Sequence, residues 1–121
     1  MTGIIRALST ARVVIVCTPV YTNTVPGSLK MVFDRCQAYH AHQVRTGHSQ
    51  GTKGLLFSVA GRKGRENFSC ITRVVEAFME NIHIRPSGNV LIDDLDRAGD
   101  VRTIPGIEVQ IREAVESALS V

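Results

Sequence analysis

Apolar residues along this chain alternate between two spacings. Val13-Val14-Ile15-Val16-Cys17 is an unbroken and largely β-branched run. Such a run suits a strand covered on both faces, as in a parallel sheet. Leu55, Leu56 and Phe57 predict a second strand over Gly54–Val59, and Val90-Leu91-Ile92 a short third. Between the strands the spacing becomes helical. Leu29, Val32, Phe33 and Cys36 share one face of a helix that starts near Pro26, a residue suited to a first helical turn, and Tyr39 is in phase with them. Ile71, Val74, Val75, Phe78 and Ile82 form the clearest helical stripe. A last helix starts near Pro105, with Ile107, Ile111, Ala114, Val115 and Ala118 on one side. Ile4, Ile5 and Leu8 mark the end of a helix ahead of the first strand.

The polar segments are connections. Thr18–Thr24 and the basic stretch Ala60–Glu66 follow the first two strands. His40–Lys53 reads as an exposed excursion, Pro86–Asn89 as a turn, and Asp93–Thr103 as an acidic, turn-like segment. The order (α)β–α–β–α–β–α implies a parallel sheet with helices on both faces. Ligands of open sheets bind outside the carboxyl ends of the strands. That rule points to Thr18–Thr24, Ala60–Glu66 and Asp93–Asp100.

Composition changes this picture little. With 121 residues, 44% hydrophobic and 21% charged, the chain is expected to form one globular domain spanning 1–121. No apolar run approaches the roughly 18 residues of a membrane helix. Three cysteines at 17, 36 and 70 give neither a disulfide framework nor a redox pair, which fits a reducing cytoplasm. The net charge of +3 suits an anionic cofactor or a solvated basic surface. Scattered basic residues, few aromatics and no Trp argue against a nucleic-acid groove. His40, His42 and His48, with Cys36 nearby, match no zinc spacing, and Asp93, Asp94 and Asp96 match no EF-hand, so no metal site is expected.

Two motifs carry a resemblance. The run Thr18-Pro19-Val20-Tyr21-Thr22-Asn23-Thr24-Val25-Pro26-Gly27-Ser28-Leu29-Lys30, closing with Asp34-Arg35, resembles the NADPH-dependent FMN reductase and iron–sulfur flavoprotein families. In those families a Ser/Thr-Pro-Val-Tyr loop ends the third strand and a Gly-x-Leu-Lys…Asp-Arg helix follows. Val59-Ala60-Gly61-Arg62-Lys63-Gly64-Arg65-Glu66-Asn67 is similar to their Gly-rich loop after the fourth strand, with Arg65 where Gln is usual. The resemblance implies an α/β, three-layer flavodoxin-like parallel sheet, truncated here to about three strands, the third to fifth of the family fold. The family's first strand, with its phosphate-holding loop, and the iron–sulfur cysteine cluster have no counterpart.

By that resemblance the cofactor is FMN, with NAD(P)H as electron donor, and no catalytic side chain is assigned. Tyr21 would lie against or beside the ring. The N–H groups of Thr22, Asn23 and Thr24 would face its N5 and O4 region. Thr18, Pro19 and Val20 would belong to the same cofactor-binding loop, whose direction Pro19 fixes. Ala60, Gly61 and Gly64 would border the pyrimidine end, with Arg62, Lys63 or Arg65 as a cation near N1 or a nucleotide phosphate. The plain alternative makes Tyr21 a half-buried loop aromatic, Asn23 a turn former and the basic loop a solvated one. A missing first strand would also bare the edge of Val13–Cys17. Self-association or a companion chain is therefore expected, and a degenerate or split module without FMN is the rival function.

Overall fold

The computed structural model describes the backbone of residues 2–46, 51–97 and 99–120, and their side chains except 2 and 39–46. The element order is α1 (Thr2–Thr10), β1 (Val13–Pro19), α2 (Gly27–Thr46), β2 (Lys53–Val59), α3 (Ser69–Asn81), β3 (Arg85–Ile92) and α4 (Ile107–Leu119). Short 3-10 turns stand at Arg65–Phe68 and Asp100–Thr103. The strands form one parallel sheet in the order β1-β2-β3. Its rows run Val16–Leu56–Asn89 and Cys17–Phe57–Val90 across the three strands.

Alternation along the strands sends successive side chains to opposite faces. One face carries Val14, Val16 and Leu56 against α2 and α3. There Phe33 stacks on Phe78 with centroids 4.0 Å apart, and Ile71, Val75 and Met79 are fully enclosed. The helical stripe read from the sequence is thus the core-facing side of α3. The other face carries Leu55, Phe57, Val90 and Ile92 and receives α4, which contacts β3 and β2. β1 is covered less fully there: Ile15 stays 40% exposed and Cys17 is exposed. Its N–H and C=O groups on the side away from β2 have no strand beside them among the described residues.

Two expectations about boundaries change. The helix that starts after Pro26 runs on to Thr46, through residues expected in a polar excursion. Ala41, Gln43 and Arg45 are good helix formers, and no Gly or Pro intervenes before Gly47. The segment Pro86–Asn89, expected as a turn, belongs to β3. β3 is an edge strand, where a proline costs no second ladder bond, and a register shift between Gly54 and Leu55 accommodates it opposite β2. The remaining elements lie where the periodicity placed them.

Candidate functional site

Three connections leave the carboxyl edge of the sheet side by side. The first is a tight hairpin. Tyr21 N–H donates to Thr24 O at 2.9 Å and Thr24 N–H to Tyr21 O at 3.1 Å, so Thr22 and Asn23 are the two turn residues. Their φ values are 47° and 67°. A two-residue turn with both φ positive is the type I′ form. Tyr21 projects into solvent at 60% exposure. The N–H groups of Thr22 and Asn23 have no acceptor among the described residues.

The second connection, Ala60–Gly64, is tied to its neighbours at both ends. Val20 N–H donates to Val59 O at 2.9 Å, joining the first two connections. Ala60 N–H donates to Ile92 O at 2.9 Å and Leu95 N–H to Ala60 O at 3.0 Å, joining the second to the third. Asp93 Oδ2 accepts from Gly64 N–H at 2.6 Å. Beneath them the buried Ser58 Oγ donates to Thr18 O at 2.7 Å and locks the ends of β1 and β2 together.

Between these connections lies a cleft of about 680 Å³. Val20, Thr22, Asn23, Ala60, Gly61 and Arg62 line it, together with Asn67, Asp94 and Asp96. A Cβ on Gly61 would stand 3.4 Å from Asp96 Oδ1, an ordinary van der Waals contact, so the second loop and Asp96 lie side by side. The volume falls within the roughly 300–1,000 Å³ of small-molecule sites. The wall is chemically mixed, with one guanidinium, two carboxylates and exposed peptide N–H groups.

Family membership is settled by sequence. The sequence model for NADPH-dependent FMN reductase matches residues 1–94. The chain belongs to the NADPH-dependent FMN reductase family. No curated protein matches it. Among solved structures, the Trp repressor binding protein from Bacillus subtilis superposes with a TM-score of 0.71 at 19% identity, covering 97% of this chain and 72% of that one. An NADPH-quinone reductase from P. pentosaceus gives 0.63 at 19% identity, covering 97% and 71%. An apo NADH:FMN oxidoreductase gives 0.67 at 14% identity, covering 97% of this chain but 57% of its own. At such identities the likeness is one of fold, the flavodoxin-like α/β fold.

Within this family member, the residues singled out in the two motifs divide. Val20, Thr22, Asn23, Ala60, Gly61 and Arg62 share the cleft. Thr18 and Pro19 instead line an apolar hollow of about 520 Å³ on the α4 side, with Phe57, Val59, Ile92 and Ile107. Thr24 closes the hairpin and Gly64, at φ 126°, anchors the second loop through Asp93. Of the three loop cations only Arg62 lines the cleft. Arg65, standing at the family's Gln position, donates to Leu91 O at 3.2 Å and lies over the Phe68 ring, so it is a packing residue. In α2 the motif's Lys30 and Asp34 pair at 2.6 Å on the exposed side, away from the cleft. Sequence reasoning missed Asn67 and Ser58 and read Asp93 only as a solvated turn residue. Their roles depend on neighbours brought together by the sheet. Among the described residues no group of three or more acidic, Cys or His side chains could hold a metal. His40, His42 and His48 lie outside the described side chains.

Proposed function

We propose that this chain binds the isoalloxazine ring of FMN in the cleft between Val20–Asn23 and Ala60–Arg62 and serves an NAD(P)H-dependent flavin oxidoreductase reaction. The observation that carries the reading is a set of N–H groups without an acceptor among the described residues, at Thr22, Asn23, Gly61 and Arg62, on residues that line one cleft. A flavin presents acceptors at N1, O2, O4 and N5, so free donors at such a wall are what its polar edge requires. A bound flavin would supply the hydride-accepting chemistry. The chain's residues would orient the ring, shield one side of it with Tyr21, and hold negative charge near Arg62. No side-chain acid or base is needed for those tasks.

The test is a fluorescence titration of the purified chain with FMN, paired with its visible spectrum. Quenching to a saturating endpoint and a yellow protein are expected. A colourless chain that leaves FMN fluorescence unchanged refutes the reading.

A second reading is favoured by one observation: among the described residues β1 has an unpaired outer edge, and its face is partly bare at Ile15 and Cys17. Edges of this kind recruit a further strand. On this reading the chain works as a module that associates with another copy or a companion chain. The two readings are compatible if the partner completes the cleft. No described helix is long and apolar enough to cross a membrane, and the three cysteines are unpaired. A cytoplasmic setting is proposed on the second ground.

A further inference from the structure

We infer that Asn67 is a positioning residue: its side chain sets the orientation in which the Ala60–Gly64 loop presents its N–H groups to the acceptor edge of a bound ring. The inference rests on the flavin reading for the identity of the ligand and on the loop's own hydrogen bonds for the latch.

Asn67 lies just after the loop, in the 3-10 turn Arg65–Phe68, and reaches back over it. Its Nδ2 donates to Arg62 O at 2.9 Å and to Gly64 O at 2.8 Å. Arg62 O also accepts from Asp94 N–H at 3.3 Å, and Ala60 O from Leu95 N–H at 3.0 Å. Three carbonyls of this loop are therefore held inside the protein. Gly64 N–H is held as well, by Asp93. The N–H groups of Gly61, Arg62 and Lys63 are not held, having no acceptor among the described residues.

The two facts are linked by peptide geometry. In a trans peptide the N–H points opposite to the C=O of the same plane. Holding Ala60 O against Leu95 turns Gly61 N–H the other way. Holding Arg62 O against Asn67 and Asp94 does the same to Lys63 N–H and leaves the Gly61–Arg62 peptide, whose residues line the cleft, suspended between two held planes. Of the groups that hold the loop, Asn67 is the one side chain that bonds two of its carbonyls. A carboxylate in its place could donate nothing and would repel both oxygens. The Asn also lines the cleft itself, so its effect is local to the proposed site.

The experiment compares the wild-type chain with Asn67→Ala, Asn67→Asp and Asn67→His, the last keeping a ring N–H donor. Backbone ¹⁵N relaxation reads the loop, and fluorescence titration with FMN and with lumiflavin, which lacks the phosphate, reads the ring. Rigid order parameters near ~0.85 are expected at Gly61–Lys63 in the wild type, falling below ~0.6 in the Ala and Asp variants, with β2 unchanged. Affinity for FMN and for lumiflavin is expected to fall by the same factor, about tenfold, with partial recovery in Asn67→His. Unchanged loop order parameters in Asn67→Ala overturn the latch, whether or not flavin binds. A loosened loop with unchanged lumiflavin affinity overturns the positioning role. If the wild type binds neither ligand while Asn67→Ala still loosens the loop, the flavin reading fails and the latch stands.

Discussion

Thr22 occupies a backbone conformation that its side chain disfavours. It is β-branched and sits at φ 47° in the first turn position of the hairpin, followed by Asn23 at 67°. For L-residues the left-handed region costs roughly 1–2 kcal/mol, and Asn and Asp escape much of that through local hydrogen bonding. Asn23 is thus well placed and Thr22 is not. Replacing Thr22 by Asn keeps the turn type, which favours Asn at this position, and removes most of the penalty. The expected gain is about 1 kcal/mol. For 121 residues the unfolding entropy near the midpoint is about 0.25 kcal/mol/K, so Tm rises by about 4 °C. Thr22→Gly gains less, because the unfolded chain acquires freedom worth roughly 0.5–1 kcal/mol.

Thermal unfolding followed by circular dichroism, with urea unfolding as a check on the m-value, measures both variants. Thr22→Val serves as the control: it keeps the branching, loses only an exposed hydroxyl, and should leave Tm nearly unchanged. Equal or lower stability of Thr22→Asn at an unchanged m-value would refute the strain argument. A Thr22→Val variant as stable as Thr22→Asn would do so as well. The strained residue lines the proposed flavin cleft, which is where such strain is retained when backbone shape matters for a ligand. Flavin affinity should accordingly survive Thr22→Asn, since the turn type is kept.

Three further outcomes are expected. Gly54→Ala places a Cβ 2.5 Å from Met79 Sδ and 2.8 Å from Ile84 Cγ2, so overpacking should cost about 1–3 kcal/mol in urea unfolding; wild-type stability would mean that the α3 side of β2 is looser than described. Burial raises the Cys36 thiol above its ordinary value. Its contribution to stability is therefore full below the ordinary thiol range and is lost as pH rises through the raised folded value; Cys36→Ala should flatten stability on that alkaline limb, and Cys17 and Cys70 should alkylate before Cys36 in the native chain. Ile15→Lys puts a charge at the middle of the bare edge, and sedimentation velocity should show self-association of the wild type reduced by it; a wild type that stays monomeric at high concentration would count against the association reading.

Much of this architecture is legible in the sequence because two physical periods differ so plainly. The β-branched run at Val13–Cys17 has no polar interruption and forms β1, although the coverage on both faces that it suggested is incomplete at Ile15 and Cys17, and the stripe Ile71–Ile82 has the period of a helix with one buried face. Where reading failed, a local signal was overruled by tertiary placement. Pro86 and Gly88 are turn formers by themselves; at the outer edge of β3, with a bulge opposite Gly54–Leu55, they extend a strand. The polar residues after His40 looked like a loop because their hydrophobic pattern is weak, yet nothing in them breaks a helix before Gly47.

The cleft divides in the same manner. Which loops meet there follows from the topology, since every strand of a parallel sheet delivers its connection to the same edge. How those loops are held does not follow, because each fastening joins residues with no pattern between them. Gly64 N–H finds Asp93, 29 positions away, and Ser58 finds Thr18 across 40. Read alone, Asp93 is one of three acids in a solvated turn; in the fold it is an internal acceptor and Asp94 and Asp96 face the cleft. The same argument separates the cations, for Arg65 is drawn off by Leu91 O and Phe68 while Arg62 remains at the wall. A motif therefore identifies the loop, and the partners of its carbonyls decide which of its N–H groups a ligand can reach.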